Sequence, residues 1–264
     1  MAYTEWGPAD HPHVVICVHG LTRNGRDFDT LAQALSTRCR VLCPDVVGRG
    51  RSAWLKDPAG YGYPQYLGDL TTLIARTGAA QVDWVGTSMG GLIGMLLAAQ
   101  PGTPLRRLVM NDVGAFIPKA ALERIGAYVG TDPVFADIGA LETYLRRIAA
   151  PFGPLTDAQW RHLALHGGRV AHDGALRLAY DPGVATAFKG GVTDVDLRAT
   201  WDRVRIDVLL TRGAESDLLS RETAEAMLSR SGNTGLAEFA GVGHAPTFMS
   251  DDQIAAVSDF LFGD

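Results

Sequence analysis

The strongest constraint on this chain is a rhythm. Short apolar runs, Val14–Val18, Arg40–Cys43, Val82–Val85 and Leu108–Met110, alternate with longer amphipathic stretches, and the runs show no regular polar alternation. A strand wetted on one face alternates polar and apolar residues, whereas one covered on both faces does not, so the pattern predicts a mostly parallel sheet with helices on both sides. The intervening stretches read as those helices. Asp27–Ser36 places Phe28, Leu31, Ala32 and Leu35 on one face, and Tyr66–Thr77 does the same with Leu67, Leu70, Leu73 and Ile74. Met89–Gln100 is apolar nearly all round and is expected to be buried, with Pro101-Gly102 ending it because proline cannot continue the hydrogen-bond ladder. Glycine, at 31 of 264 residues without a repeat period, adds many tight turns and close backbone approaches.

From Phe116 to about Thr200 the strand rhythm stops. Ala120–Val129, Leu141–Ala150 and Asp157–His166 read as helices, punctuated by Pro118, Pro133, Pro151, Pro154 and Pro182. The alternation then resumes with strands at Val208–Thr211 and Leu236–Phe239 and helices at Arg221–Ser229 and Asp251–Phe262. The expectation is an α/β core of residues 1–115 and 201–264, interrupted by a helical cap at 116–200. Only one short strand, around Tyr3–Trp6, fits before Val14, so the sheet should have seven or eight strands.

Several classes of partner drop out. A formal charge of −5 and scattered arginines lack the basic stripe that displaces counterions from nucleic acid. No apolar stretch reaches the roughly 18–20 residues that span a bilayer, so no membrane span is expected. The N-terminal residues show neither the basic nor the apolar region of a signal peptide, and three cysteines, Cys17, Cys39 and Cys43, suit reduced thiols. The expected location is cytoplasmic.

The chemistry begins at Gly86-Thr87-Ser88-Met89-Gly90, a G-x-S-x-G placed where a strand ends and a helix begins. A serine on that sharp turn is presented out of the sheet, and flanking glycines are needed because side chains there would strike the neighbouring strand and helix. A hydroxyl needs a base to take its proton. His244, in Gly241-Val242-Gly243-His244-Ala245-Pro246 after the last strand, is the candidate, because its glycines let the loop approach the turn. His11, His13, His162, His166 and His172 read as surface or capping residues.

Three motifs together resemble the α/β-hydrolase superfamily over nearly the whole chain: His19-Gly20-Leu21 after the Val14–Val18 strand, the D-x-x-G-x-G-x-S of Asp45–Ser52, and the serine turn followed by G-x-G-H. The resemblance implies the α/β-hydrolase fold and an oxyanion hole made by the backbone N–H groups of Leu21 and Met89, with His19 buttressing its loop. Gly48-x-Gly50-x-x-Ala53 also fits a loose dinucleotide pattern, but it runs into Pro58, Gly60 and Pro64 instead of a helix. No metal or organic cofactor is implied.

The acid that orients His244 has two candidates. Asp112 follows the Leu108–Met110 strand, a placement some relatives use. Asp217 stands one residue beyond the position, here Ser216, that many others use. Asp112 is preferred, with Ser216 then a further hydrogen-bond partner, and Glu215 ranks third. Serine rather than aspartate at position 88 excludes the dehalogenase and epoxide-hydrolase branches. The expected activity is hydrolysis of a small-molecule carboxylic ester. A C–C bond hydrolase, lactonase, perhydrolase, acyltransferase or small-molecule receptor on the same scaffold are the alternatives. Arg23 is a candidate for binding a substrate carboxylate, against an ion pair with Asp27 or Asp45, and Trp160 is a candidate pocket residue among the aromatics of the cap.

Overall fold

The computed structural model describes residues 1–263. Its strands are β1 (Tyr3–Trp6), β2 (Val14–Val18), β3 (Arg40–Pro44), β4 (Val82–Thr87), β5 (Leu105–Asn111), β6 (Phe116–Ile117), β7 (Gly168–Val170), β8 (Leu176–Leu178), β9 (Val195–Asp196), β10 (Asp207–Gly213) and β11 (Thr234–Phe239). Its α-helices are α1 (Asp29–Leu35), α2 (Tyr63–Thr77), α3 (Met89–Ala98), α4 (Lys119–Gly126), α5 (Ile138–Ile148), α6 (Asp157–Gly167), α7 (Arg198–Trp201), α8 (Arg221–Ser229) and α9 (Asp251–Phe262).

Seven strands form the central sheet in the order β1-β3-β2-β4-β5-β10-β11, so of the two counts the sequence allows, seven is realised. Only β1 runs antiparallel to its neighbour. The missing alternation in β2 has its cause here, since all five residues are buried. Val14, Ile16 and Val18 pack with Leu70, Leu73 and Ile74 of α2 and Ile93 and Leu97 of α3 on one face. Val15 and Cys17 pack with Leu31 and Leu35 of α1 and Val257 and Leu261 of α9 on the other. Two hydrophobic layers on one sheet thus explain a strand with no polar side. Helix α3 has nine buried residues of its ten, as its all-round apolar sequence requires.

Between β5 and β10 the chain leaves the sheet. Helices α4, α5 and α6 occupy this segment, close to the expected spans. The structure adds what the helical reading did not contain: β6 pairs with β9 and β7 with β8, each antiparallel. The first pair makes a stem, with Phe116 opposite Asp196 and Ile117 opposite Val195. The segment is tied to loops of the core by Asn24 Nδ2 donating to the His166 carbonyl at 2.9 Å, by Gly50 N–H donating to that of Ala179 at 2.8 Å, and by Gly243 N–H donating to that of Pro151 at 2.7 Å. No helix among the described residues is long and apolar enough to cross a membrane.

Candidate active site

Ser88 sits between β4 and α3 with φ 52° and ψ −113°, a backbone conformation that costs a non-glycine residue on the order of 1–3 kcal/mol and persists only where the surroundings impose it. The surroundings are the flanking glycines. A Cβ on Gly86 would lie 2.2 Å from the Gly90 carbonyl oxygen, and one on Gly90 would lie 2.0 Å from that of Val18. Strand and helix therefore approach as closely as backbone allows, and the turn between them is forced. The Ser88 N–H donates to the Asn111 carbonyl at 2.9 Å, and its carbonyl accepts the first bond of α3 from Leu92 N–H at 3.0 Å. That helical bond points the N–H of the same peptide unit, on Met89, out of the positive end of α3.

The His19–Leu21 loop is set by an equally specific arrangement. The fully buried His19 ring accepts the Val46 N–H at Nε2 at 3.0 Å and donates from Nδ1 to the Gly20 carbonyl at 2.7 Å, which defines a neutral imidazole. Burial pushes its pKa down to about 4. The Gly20 carbonyl also accepts the Arg23 N–H at 3.2 Å, and because a peptide unit is planar and trans, fixing that carbonyl aims the Leu21 N–H the opposite way. Among the described residues neither Leu21 N–H nor Met89 N–H has an acceptor.

His244 donates from Nδ1 to Asp112 Oδ2 at 2.7 Å. Asp112 is fully buried at φ 53°, and its carboxylate also accepts Gly213 N–H at 2.8 Å on Oδ1 and the Ser216 hydroxyl at 2.6 Å on Oδ2. Ser216 in turn accepts the N–H groups of Leu218 and Leu219, which commits its own proton to Asp112. Asp217, the other candidate acid, turns away and pairs with Arg124 at 2.5 Å on the exposed side of the loop. The offset of one residue thus sends the serine inward and the aspartate outward.

Ser88 and His244 line one cavity together with Leu21, Arg23 and Arg124. The Ser88 hydroxyl makes no hydrogen bond among the described residues, and shares with His244 only the lining of this cavity. A larger cavity that also reaches Ser88 is bounded by Met89, Tyr63, Leu92 and Phe188. Arg23 binds Asp27 through Nε at 2.8 Å and Nη2 at 2.6 Å, and the carboxylate outweighs the cost of burial, so its pKa is raised. Trp160 lines neither cavity. It is buried with Leu163 and Ala164 on the inner face of α6, under the Arg146 guanidinium, so its apolar bulk fills the packing of the segment itself.

Two residues that the motif reading passed over hold this arrangement together. Asn111 donates to Thr87 Oγ1 at 3.0 Å and to the Pro246 carbonyl at 2.7 Å, and accepts from Thr211 Oγ1 at 2.8 Å, joining the ends of three strands' loops to the histidine loop. Arg49 is fully buried and donates to the Leu21 and Val47 carbonyls, each at 2.8 Å, and to Tyr66 Oη at 3.0 Å. Its position inside Gly48-Arg49-Gly50 was the only available signal. Elsewhere, Asp29, His162 and His166 bring ligand atoms within 4.8 Å of one another, which is metal-site spacing, but Arg26 already grips the Asp29 carboxylate at 2.5 Å.

The sequence pattern described as "Alpha/beta hydrolase family" matches residues 15–257. A 3-hydroxybutyrate-oligomer hydrolase from Cupriavidus necator is 47% identical over 272 aligned positions, covering 100% of this chain and 93% of that protein. A 2-(acetamidomethylene)succinate hydrolase from Mesorhizobium japonicum is 30% identical, covering 78% of this chain and 72% of that protein. Among solved structures, an alpha/beta hydrolase from Novosphingobium aromaticivorans superposes with a TM-score of 0.88 at 37% identity, covering 98% of this chain and 92% of that one. The sheet order, the strained serine turn and a family match running through most of the sequence lead to the same assignment: this chain belongs to the alpha/beta hydrolase family.

Proposed function

We propose that this protein is a serine hydrolase of carboxylic esters and that its substrates are short linear oligoesters of 3-hydroxybutyrate or a similar small hydroxy acid. The observation that carries the reading is the hydrogen bond, 2.7 Å long, from His244 to the buried Asp112, with His244 lining the same cavity as Ser88. Full-length similarity to a 3-hydroxybutyrate-oligomer hydrolase supports the substrate class.

In this reading Asp112 holds the His244 tautomer with the proton on Nδ1, leaving Nε2 to take the proton of Ser88. Ser88 Oγ attacks the ester carbonyl, and the oxyanion that forms is bound by the N–H groups of Leu21 and Met89, which lack other acceptors. His244 then gives the proton to the departing alkoxide. A water activated by His244 hydrolyses the acyl-enzyme. The segment 116–200 acts as a cap, supplying Ile125, Tyr128, Tyr144 and Phe188 to the walls around Ser88.

The test is turnover of 3-hydroxybutyrate dimer and trimer by the purified protein, followed by chromatography of the monomer released. Ser88→Ala is expected to lower turnover by about 10⁶-fold while leaving the thermal unfolding profile in place. Undiminished oligomer cleavage by that variant contradicts the proposal.

A further inference from the structure

The two cavities that meet at Ser88 differ in a way that assigns the two halves of an ester to them, given the ester-hydrolase reading above. The smaller, about 110 Å³, is lined by His244, Arg23 and Arg124. The larger, about 630 Å³, is bounded by Met89, Leu92, Tyr63 and Phe188, and His244 is not part of it. When the Ser88 Oγ–carbonyl bond forms and the ester C–O bond breaks, the proton that leaves with the alcohol comes from His244. The alcohol half therefore occupies the His244 side and the acyl half the apolar side. In a linear oligoester of a hydroxy acid, the alcohol half is the one that ends in the free carboxylate.

Arg23 is built to meet that carboxylate. Asp27 grips Nε and Nη2, while Nη1 has no hydrogen-bond partner among the described residues. The side chain is only 15% exposed, and the ion pair fixes the guanidinium so that little rotamer freedom remains to be lost on binding. Gly167, also in the cavity wall, keeps the nitrogen open: a Cβ there would sit 3.2 Å from Nη1. Arg124 also lines this cavity, but its guanidinium is held by Asp217, which leaves Arg23 as the group that meets the carboxylate.

We propose that Arg23 Nη1 binds the terminal carboxylate of the departing unit, so that the protein reads oligoesters from the carboxyl end and releases one hydroxy acid per cycle. The size of the cavities agrees. The acyl-side volume is about six times that on the His244 side, so the longer part of an oligoester fits the former and one small unit the latter. The bound carboxylate is unchanged by the reaction. It departs with the hydroxyl formed when His244 protonates the alkoxide.

The experiment compares three trimers of 3-hydroxybutyrate: the free acid, its carboxyl-terminal methyl ester, and the free acid acetylated on the terminal hydroxyl. A charge-assisted hydrogen bond to a carboxylate predicts that methylation lowers kcat/KM by about 10–100-fold, chiefly through KM. The acetylated trimer is expected to yield free monomer and acetylated dimer as its first products. Arg23→Gln is expected to bring the ratio of kcat/KM for free acid over methyl ester to near one. Should that variant fold poorly, the first products and the ester discrimination of the unaltered protein still decide the matter. Equal cleavage of free acid and methyl ester, or first release of acetylated monomer, overturns the carboxyl-end assignment and leaves the oligoester reading standing. Failure to cleave any of the three overturns both.

Discussion

At the scale of single residues, the acid beside His244 shows where sequence reading stops. Asn111 lies opposite Thr211 in the parallel pairing of β5 with β10, so the residues that follow both strands end up at the same place in the fold. A motif can therefore point to either strand's loop. The choice is made by a turn in which Ser216, and not Asp217, faces inward, and by the positive φ of Asp112, neither of which spacing reveals. Asp112→Asn is expected to lower kcat by about 10⁴-fold, because the amide no longer holds the productive tautomer of His244. Asp217→Asn removes an exposed ion pair with Arg124 and is expected to cost less than about 1 kcal/mol of stability and to leave kcat on an activated ester unchanged. Comparable losses of kcat in the two variants, measured on an activated ester, count against Asp112. Ser88, His244 and Leu21 were legible as neighbours of one cavity because each lies in or beside a motif at a strand end. Arg49 and Asn111 were not, since a buried polar residue is recognised by its partners and those come from distant loops.

At the scale of elements, every strand of the central sheet except β1 was legible from apolar runs, β1 being expected only from the room before Val14, and α8 and α9 begin and end where the periodicity places them. The strand pairs β6–β9 and β7–β8 were not, because two or three residues are too few to show a period. Trp160 illustrates a related limit. Periodicity identifies the buried face of α6, but not whether that face meets a cavity or a neighbouring helix. The junction of β4 with α3 is the element most sensitive to volume. Gly90→Ala places a methyl group against the Val18 carbonyl, a clash with backbone that side-chain motion cannot relieve, so a loss of about 1–3 kcal/mol or more is expected in denaturant titrations. Activity should fall further than stability, because the shift displaces Ser88 and the Met89 N–H together.

For the molecule as a whole, one buried histidine links acidity to stability. His19 titrates near 6.5 when unfolded and about 4 in the fold, so the unfolded chain takes up its proton first as pH drops. Its contribution is intact above pH 6.5 and is lost progressively down to about pH 4, amounting to about 3 kcal/mol. Denaturant midpoints measured from pH 7.5 to 4 should fall accordingly, and the slope in that window should flatten in His19→Asn. An unchanged slope in the variant assigns the acid sensitivity elsewhere. The two hydrophobic layers on either side of the sheet were readable as a class from the unalternating strands, whereas the closure of the segment after β5 over Ser88 depends on contacts as far apart as Asn24 and His166. The stem formed by Phe116–Ile117 and Val195–Asp196 has a consequence for how such a molecule changes over evolutionary time. Residues 118–194 leave and return through this two-rung stem, so insertions, deletions or wholesale exchange beyond it can change the walls around Ser88 while the strands beneath keep their register.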